Sequence, residues 1–340
     1  MALVTIDLSR PSPSAYNVTM HILFISASRL GDAILSTGLL QNLVDRFPEA
    51  RFTVACGPVA ASLFEAVPRL ERIIKMRKGP WLAHWRTLLG ATITKRWFMV
   101  VDVRGSATDY ILPTLRRYVY RRRDRDAHRV DEMRHTLGLE APAPPTLWLG
   151  PAHWRSANRL LGEANDGRPL LALGPTANWD AKIWPADRFA ALARALTDPG
   201  GVLAGARIAV VGGPGEREMA APLLQAIPPE NLVDLMEASV LDTAAVISQA
   251  SLYIGNDSGL MHLAAASGAP TLGLFGPTRD ENYAPWGAHC AVARTELSYE
   301  DLRTDPNYRP RPDANLMMGL RVETVVGTAG MLLTKVQGSK

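Results

Sequence analysis

Short apolar runs of strand length alternate along this chain with segments whose apolar positions recur at helical spacing. Val18 to Ile25 is such a run. After a polar turn containing Gly31, the positions Ile34, Leu35, Leu39, Leu40 and Leu43 follow a helical period. Arg51 to Ala55 reads as a second strand. Phe98 to Val103 reads as a buried run leading into Arg104 and Gly105, with Asp102 near its end. A proline-rich break, Ala141 to Pro145, follows. The alternation then resumes: Leu170 to Leu173 as a strand, and Pro185 to Leu196 as a helix with Phe189, Leu192 and Leu196 on one face. Arg207 to Val211 is a strand running into a glycine-rich turn, and Leu252 to Gly255 and Thr271 to Phe275 are two more. Strands alternating with helices predict βαβ units and parallel sheets covered on both faces. Two such sets on either side of the break predict an α/β protein of two doubly wound domains, 1–150 and 151–340. The last helix is left free to pack on either. No repeat at a solenoid period is visible.

Composition narrows the class. At 340 residues the chain is long enough for two domains, and 47% hydrophobic with 21% charged residues is the balance of a folded globular protein. No apolar run approaches the roughly 18–20 residues a spanning helix requires. Residues 1–20 carry Asp7, Arg10 and two prolines rather than a basic stretch followed by an apolar one, so no secretory signal is expected. Cys56 and Cys290, the two cysteines, lie far apart with no ligand-spaced partners. Neither a disulfide framework nor a structural zinc site is expected, and a reducing cytosol fits.

The net charge of +4 is concentrated. From Arg116 to Arg134 eight arginines stand against Asp124, Asp126, Asp131 and Glu132, a surplus of four that equals that of the whole chain. One reading is a solvated helix laced with ion pairs. The other is a surface for an anionic partner. Only Tyr118 and Tyr120 interleave and no nucleic-acid motif occurs, so an anionic lipid surface is favoured over RNA or DNA. His128 and His135, read as sharing a helical face, lie two turns apart and cannot hold one metal.

In open parallel sheets the ligand crevice lies beyond the carboxyl ends of the strands. That rule singles out four turns. Gly255 to His262 follows a strand and precedes the helix former Leu263-Ala264-Ala265-Ala266. Asp257 or Ser258 can cap that helix, and its free N–H groups can bind phosphate without a metal. Gly259 would let a diphosphate approach closely. The plain alternative is an ordinary cap, with His262 a packed histidine. Gly212-Gly213-Pro214-Gly215-Glu216 is not a GxGxxG loop, but Glu216 could accept from a ribose diol. Lys182, just before a helix, could neutralise a leaving phosphate or simply be solvated. Asp32 opens the first helix, either as a first-turn acid or as a general base facing the crevice. Ser258 lies in no G-x-S-x-G elbow, and no P-loop occurs.

Together these pieces resemble family 9 of the glycosyltransferases, the ADP-heptose–lipopolysaccharide heptosyltransferases. The matching segments are Ile22-Leu23-Phe24-Ile25 leading to Arg29-Leu30-Gly31-Asp32, then Lys182-Ile183-Trp184-Pro185, then Val210 to Glu216. The strongest is Gly255 to Ala265, followed by Leu274-Phe275-Gly276-Pro277-Thr278. Their order and spacing from about residue 20 to 335 carry the resemblance. The chain departs from the pattern with Asp257-Ser258-Gly259 for Asp-Thr-Gly, Pro175-Thr176-Ala177 for Pro-Gly-Ala, and Gly38 for a proline. Trp81 to Arg96 and the arginine run also look unlike typical members.

The resemblance implies a GT-B architecture, with an acceptor lobe followed by a nucleotide-sugar lobe. It implies an inverting, metal-independent transfer of heptose from ADP-heptose to a lipopolysaccharide-type acceptor. Asp32 would be the base and Lys182 would assist departure of the diphosphate. Thr176, Asn178, Lys182, Gly213, Glu216, Asp257, Ser258, Gly259, Leu260 and His262 would bind the donor. Arg29, Arg104, Arg121, Arg122 and Arg123 would bind the acceptor. No cofactor beyond the nucleotide-sugar co-substrate and no nucleic acid is implied, and the place of work would be the cytoplasmic face of the inner membrane of a Gram-negative-type bacterium. The alternatives are another nucleotide-sugar or acceptor, or a non-catalytic binding protein. A nicotinamide oxidoreductase is disfavoured by the missing GxGxxG after the first strand.

Overall fold

A computed structural model describes residues 20–106, 108–162, 167–305 and 315–338. Residues 1–19, which carry most of the secretory-signal argument, lie outside these. The first domain contains β1 (His21–Ile25), α1 (Leu30–Arg46), β2 (Arg51–Cys56), β3 (Leu70–Lys75), α2 (Ala83–Thr92), β4 (Trp97–Asp102), β5 (Thr114–Val119) and α3 (Arg129–Arg134). Then come α4 (Pro151–Leu161), β6 (Leu170–Gly174), α5 (Ala186–Thr197), β7 (Arg207–Val211), α6 (Arg217–Ala226), β8 (Leu232–Leu235), α7 (Val240–Ile247) and β9 (Leu252–Asn256). The chain continues with α8 (Gly259–Ala266), β10 (Thr271–Phe275), α9 (Asp280–Tyr283), β11 (Cys290–Arg294), α10 (Tyr299–Thr304) and α11 (Val322–Gln337).

The strands form two parallel sheets, ordered β3-β2-β1-β4-β5 and β11-β10-β9-β6-β7-β8. In each, the order reverses at one place, between β1 and β4 in the first and between β6 and β9 in the second. A doubly wound sheet opens its crevice at that reversal. Of the four turns singled out from sequence, those after β1, β6 and β9 follow strands at these reversals, and the fourth, 212–216, follows β7 beside β6. Central strands are buried throughout: β6, β9 and β10 expose no residue, as expected for strands covered on both faces.

The break at 141–145 runs across α1. A Cβ at Gly38 would overlap the carbonyl oxygens of Ala143 and Pro144, so only glycine admits the chain there. Thr146 N–H donates to Thr37 Oγ1 (2.8 Å) and Trp148 Nε1 to Gln41 Oε1 (2.7 Å). Beyond the break, α4 packs on α7 and β8 of the second sheet. The last helix, α11, buries Val325, Ala329 and Leu332 against α5, β10 and β11, within the second domain.

The arginine run is not one helix. Its first part is the edge strand β5, its middle an ordered loop, and only Arg129–Arg134 is helical, with His128 and His135 at its two ends. Charge counting carries no information on backbone period, and the solvated-helix reading holds only for Arg129–Arg134. The loop is held from beneath by Glu132, itself buried, whose carboxylate accepts from the N–H groups of Arg123 and Asp124. Both cysteines are free thiols, and burial pushes each up to about 12.

Candidate active site

Two helix N-termini face each other across the domain boundary. Gly31 is the second residue of α1 and Gly259 the first of α8. An ideal Cβ on Gly31 would lie 3.4 Å from Gly259 Cα and 3.0 Å from His262 Cδ2. One on Gly259 would lie 3.0 Å from Gly31 N and from Leu30 Cβ. Main chain thus meets main chain, and Asp32 in the first turn of α1 is brought beside the turn that follows β9. Asp32 is partly exposed and makes no hydrogen bond or ion pair among the described residues.

On the second-domain side, Lys182 Nζ donates to Asp257 Oδ2 at 3.3 Å, with the two side chains 12% and 10% exposed. Buried Asn256 fixes this loop. Its Oδ1 accepts from Trp184 N (3.0 Å) and its Nδ2 donates to Pro175 O (2.8 Å), tying the turn after β6 to the end of β9. Ser258 occupies the N-cap position of α8 with extended backbone, but its hydroxyl makes no capping bond, unlike the cap expected from sequence. The first N–H groups of the helix, at Gly259 and Leu260, are left for another acceptor. Thr176 Oγ1, Thr278 Oγ1 and His262 Nδ1 are buried without a hydrogen-bond partner in the protein. Such atoms cost about 1–3 kcal/mol each unless something binds them. Glu216 turns back on its own loop, accepting from Gly213 N at 2.8 Å. Asn178 is exposed at the mouth.

The five candidate acceptor arginines come from the carboxyl ends of three adjacent strands: Arg29 after β1, Arg104 after β4, and Arg121, Arg122 and Arg123 after β5. They are not equivalent. Arg122 is spent on its own loop, donating to Arg125 O at 2.7 Å, and Arg121 reaches out to the Tyr110 hydroxyl. Arg29 and Arg123 are exposed, while Arg104 has a buried Nη1 without a partner.

Sequence reasoning missed the residues that join the lobes. Asn282 Nδ2 donates to Arg125 O and Ala127 O, both at 2.9 Å, and Arg279 Nη1 donates to Asp126 Oδ1 at 2.7 Å. His128 Nε2 lies 2.9 Å from Ala284 O, with its ring 4.7 Å from that of Trp286. Tyr283 is surrounded by charge: burial raises its phenol pKa first, then Asp32, while Arg129 and Arg122 pull it down. It therefore lies within the field of the first-domain carboxylate and of Asp257. None of these pairings leaves a local signal, since partners some 150 residues apart share no periodicity. Among the described residues no group of three or more His, Cys, Asp or Glu side chains converges as a metal site.

His262 gives a pH prediction. Burial holds its pKa down to about 4, with Asp257 opposing and His128 and Lys182 assisting. The folded chain refuses a proton that the unfolded chain accepts near 6.5. This contribution to stability is complete above pH 6.5 and is lost as pH falls toward 4, up to roughly 3 kcal/mol. Unfolding free energies of the wild type and of His262→Gln, measured in denaturant across this window, should converge at low pH. Parallel curves would show that the ring is not held neutral.

A family model described as glycosyltransferase family 9 (heptosyltransferase) matches residues 104–307. The lipooligosaccharide heptosyltransferase 2 of Haemophilus influenzae is 26% identical over 315 residues, covering 81% of this chain and 88% of that protein. Among solved structures, the glycosyl transferase family 9 protein of Veillonella parvula superposes with a TM-score of 0.76 at 20% identity, over 94% of this chain and 99% of that one. The E. coli ADP-heptose lps heptosyltransferase II superposes with a TM-score of 0.70 at 20% identity, over 94% and 100%. These likenesses show the GT-B fold that the two facing sheets form.

Proposed function

The chain belongs to glycosyltransferase family 9, the heptosyltransferases, and on that premise we propose that it moves a heptosyl unit from ADP-heptose to an anionic lipopolysaccharide-type acceptor by inversion, without a metal. The observation that carries this reading is the approach of Gly31 to Gly259, which sets a free carboxylate beside a helix N-terminus suited to a diphosphate. Asp32 takes the acceptor hydroxyl's proton as its oxygen attacks the anomeric carbon. The bond to the diphosphate breaks from the opposite face, and one displacement inverts the configuration. The negative charge that grows on the leaving diphosphate meets the Gly259 and Leu260 N–H groups, the α8 dipole and Lys182. Ser258, Thr176 and His262 offer further polar atoms to the donor phosphates and sugar. Glu216, Gly213 and Asn178 line the donor side toward the nucleoside. Arg29, Arg104 and Arg123 face the phosphates of the acceptor, with Arg121 and Arg122 shaping the loop.

The donor sugar and acceptor are supported by the name of the E. coli relative, an ADP-heptose lps heptosyltransferase. No described helix is long and apolar enough to cross a membrane. An enzyme that reaches a lipid-linked acceptor from the cytoplasm would therefore work from the surface of the inner membrane. Incubation with ADP-heptose and deep-rough lipopolysaccharide should release ADP and lengthen the acceptor, with UDP- and GDP-sugars inert and activity retained in chelator. Preference for another nucleotide, retention of configuration in the product, or a chelator-sensitive rate would overturn the corresponding part.

A further inference from the structure

One face of the first domain is unusual in what it leaves in water. Trp81 is 88% exposed, Leu82 65%, Leu115 82%, Ile111 57% and Tyr110 55%. These residues share one side of the first sheet. Beneath α2 the apolar layer is built from Leu23, Ile25, Val100 and Leu112, with Trp85 and Leu88 above it. Val100 pairs in register with Arg117 of β5, so Arg117 and Leu115, two residues apart, stand on that same side. Trp81 and Leu82 lie at the start of α2, both with left-handed backbone (φ 52° and 55°), a conformation bulky residues rarely take. It keeps both side chains off the apolar layer that other aromatics cover.

Cations interleave with these apolar groups. Arg117 lies over the Tyr110 ring (5.5 Å) and donates to Leu112 O at 3.0 Å, Arg121 donates to the Tyr110 hydroxyl, and Arg104 lies over the Trp85 ring at 4.8 Å. Exposed Arg77 and Lys78 precede Trp81. Glu71 on β3 is already paired, with Lys95 at 2.7 Å and His21 at 3.0 Å.

We propose that this face, from Arg104 out to Trp81 and Leu115, docks on an anionic phospholipid bilayer. Tryptophan, tyrosine and arginine at one level are the groups that settle at the boundary between headgroups and acyl chains, and two protruding apolar side chains supply shallow insertion. Basic residues add attraction to anionic lipid that salt screens. The inner end of the face is Arg104, just past β4, whose Asp102 pairs with Ile25 of β1 at the crevice. Docking would therefore set the mouth of the crevice against the headgroups. The inference rests on the membrane-linked acceptor in the reading above, and not on the donor chemistry.

The full chain should co-sediment with vesicles rich in phosphatidylglycerol, weakly with phosphatidylcholine alone, and less as salt rises. The double variant Trp81→Ser/Leu82→Ser should bind on the order of tenfold more weakly, with an unchanged melting temperature. Arg117→Gln should reduce the salt dependence. Both should keep wild-type ADP release with a delipidated, soluble acceptor. Unchanged vesicle binding by the double variant, equal binding to both lipids, or no binding would overturn the proposal. So would a wild-type dimer, seen by light scattering, that the double variant abolishes, because the face would then meet a second copy. Loss of ADP release from every donor would sink the transferase reading while leaving vesicle binding untouched.

Discussion

Replacing Asp32 by asparagine is expected to lower kcat by about 10²- to 10⁴-fold, the range that a positioned general base supplies. The size and shape of the side chain are kept, and only its ability to take a proton is lost. The folded state should hardly notice. Asp32 makes no hydrogen bond or ion pair with a described residue, and its interaction with the first turn of α1 is worth about 0.3–1 kcal/mol. Donor affinity, read by calorimetry with ADP, should change little, because the role proposed for the carboxylate lies on the acceptor side. A loss of less than tenfold with full occupancy would remove Asp32 from the role of base. Tyr283 and Asp257 would then be the groups to examine next, since Tyr283 lies in the field of both Asp32 and Asp257.

Lys182→Met is expected to reduce kcat/KM by on the order of 10²–10³, the usual cost of removing one preorganised donor from developing charge. It should also destabilise the protein, because Asp257, only 10% exposed, would lose its partner. Breaking a buried pair from one side costs about 3–5 kcal/mol. The 3.3 Å separation makes this pair loose, so the lower end is expected. The two effects separate in a double variant. Lys182→Met/Asp257→Asn should regain much of the melting temperature and none of the activity. Recovery of both would mean that Lys182 serves only to neutralise Asp257.

The sequence made some parts of this molecule legible and hid others for a physical reason. Strands β1, β4, β6, β7, β9 and β10 read as apolar runs because they are covered on both faces. The outer strands escaped. β3 is Leu-Glu-Arg-Ile-Ile-Lys, charged at each exposed position, and β5 is Thr-Leu-Arg-Arg-Tyr-Val, with two arginines breaking the apolar run. Edge strands are expected to carry such charges, and the pattern then resembles loop or helix. β8, at four residues, is too short to show a period. The same division holds for the site. Asp32, Lys182, Asp257 and Gly259 lie just after strands whose order sets where those segments fall, so local sequence could name them as candidates. Tyr283, Asn282 and His128 act across the boundary between domains. The partner of each is fixed by how the lobes meet, which no window of sequence contains.

The bare meeting of Gly31 and Gly259 sets the separation of the two helix N-termini by main chain against main chain. Rearrangement of rotamers elsewhere in the crevice leaves that separation unaltered. The seam around it is broad, for α1 packs along α8 and apolar residues of both domains share one core. Polar ties supplement it, with Arg279 on Asp126 and Asn282 on the backbone of 125 and 127. The first is an ion pair whose Asp126 is 80% exposed, worth little in water, so the shared apolar core is what holds the lobes in place.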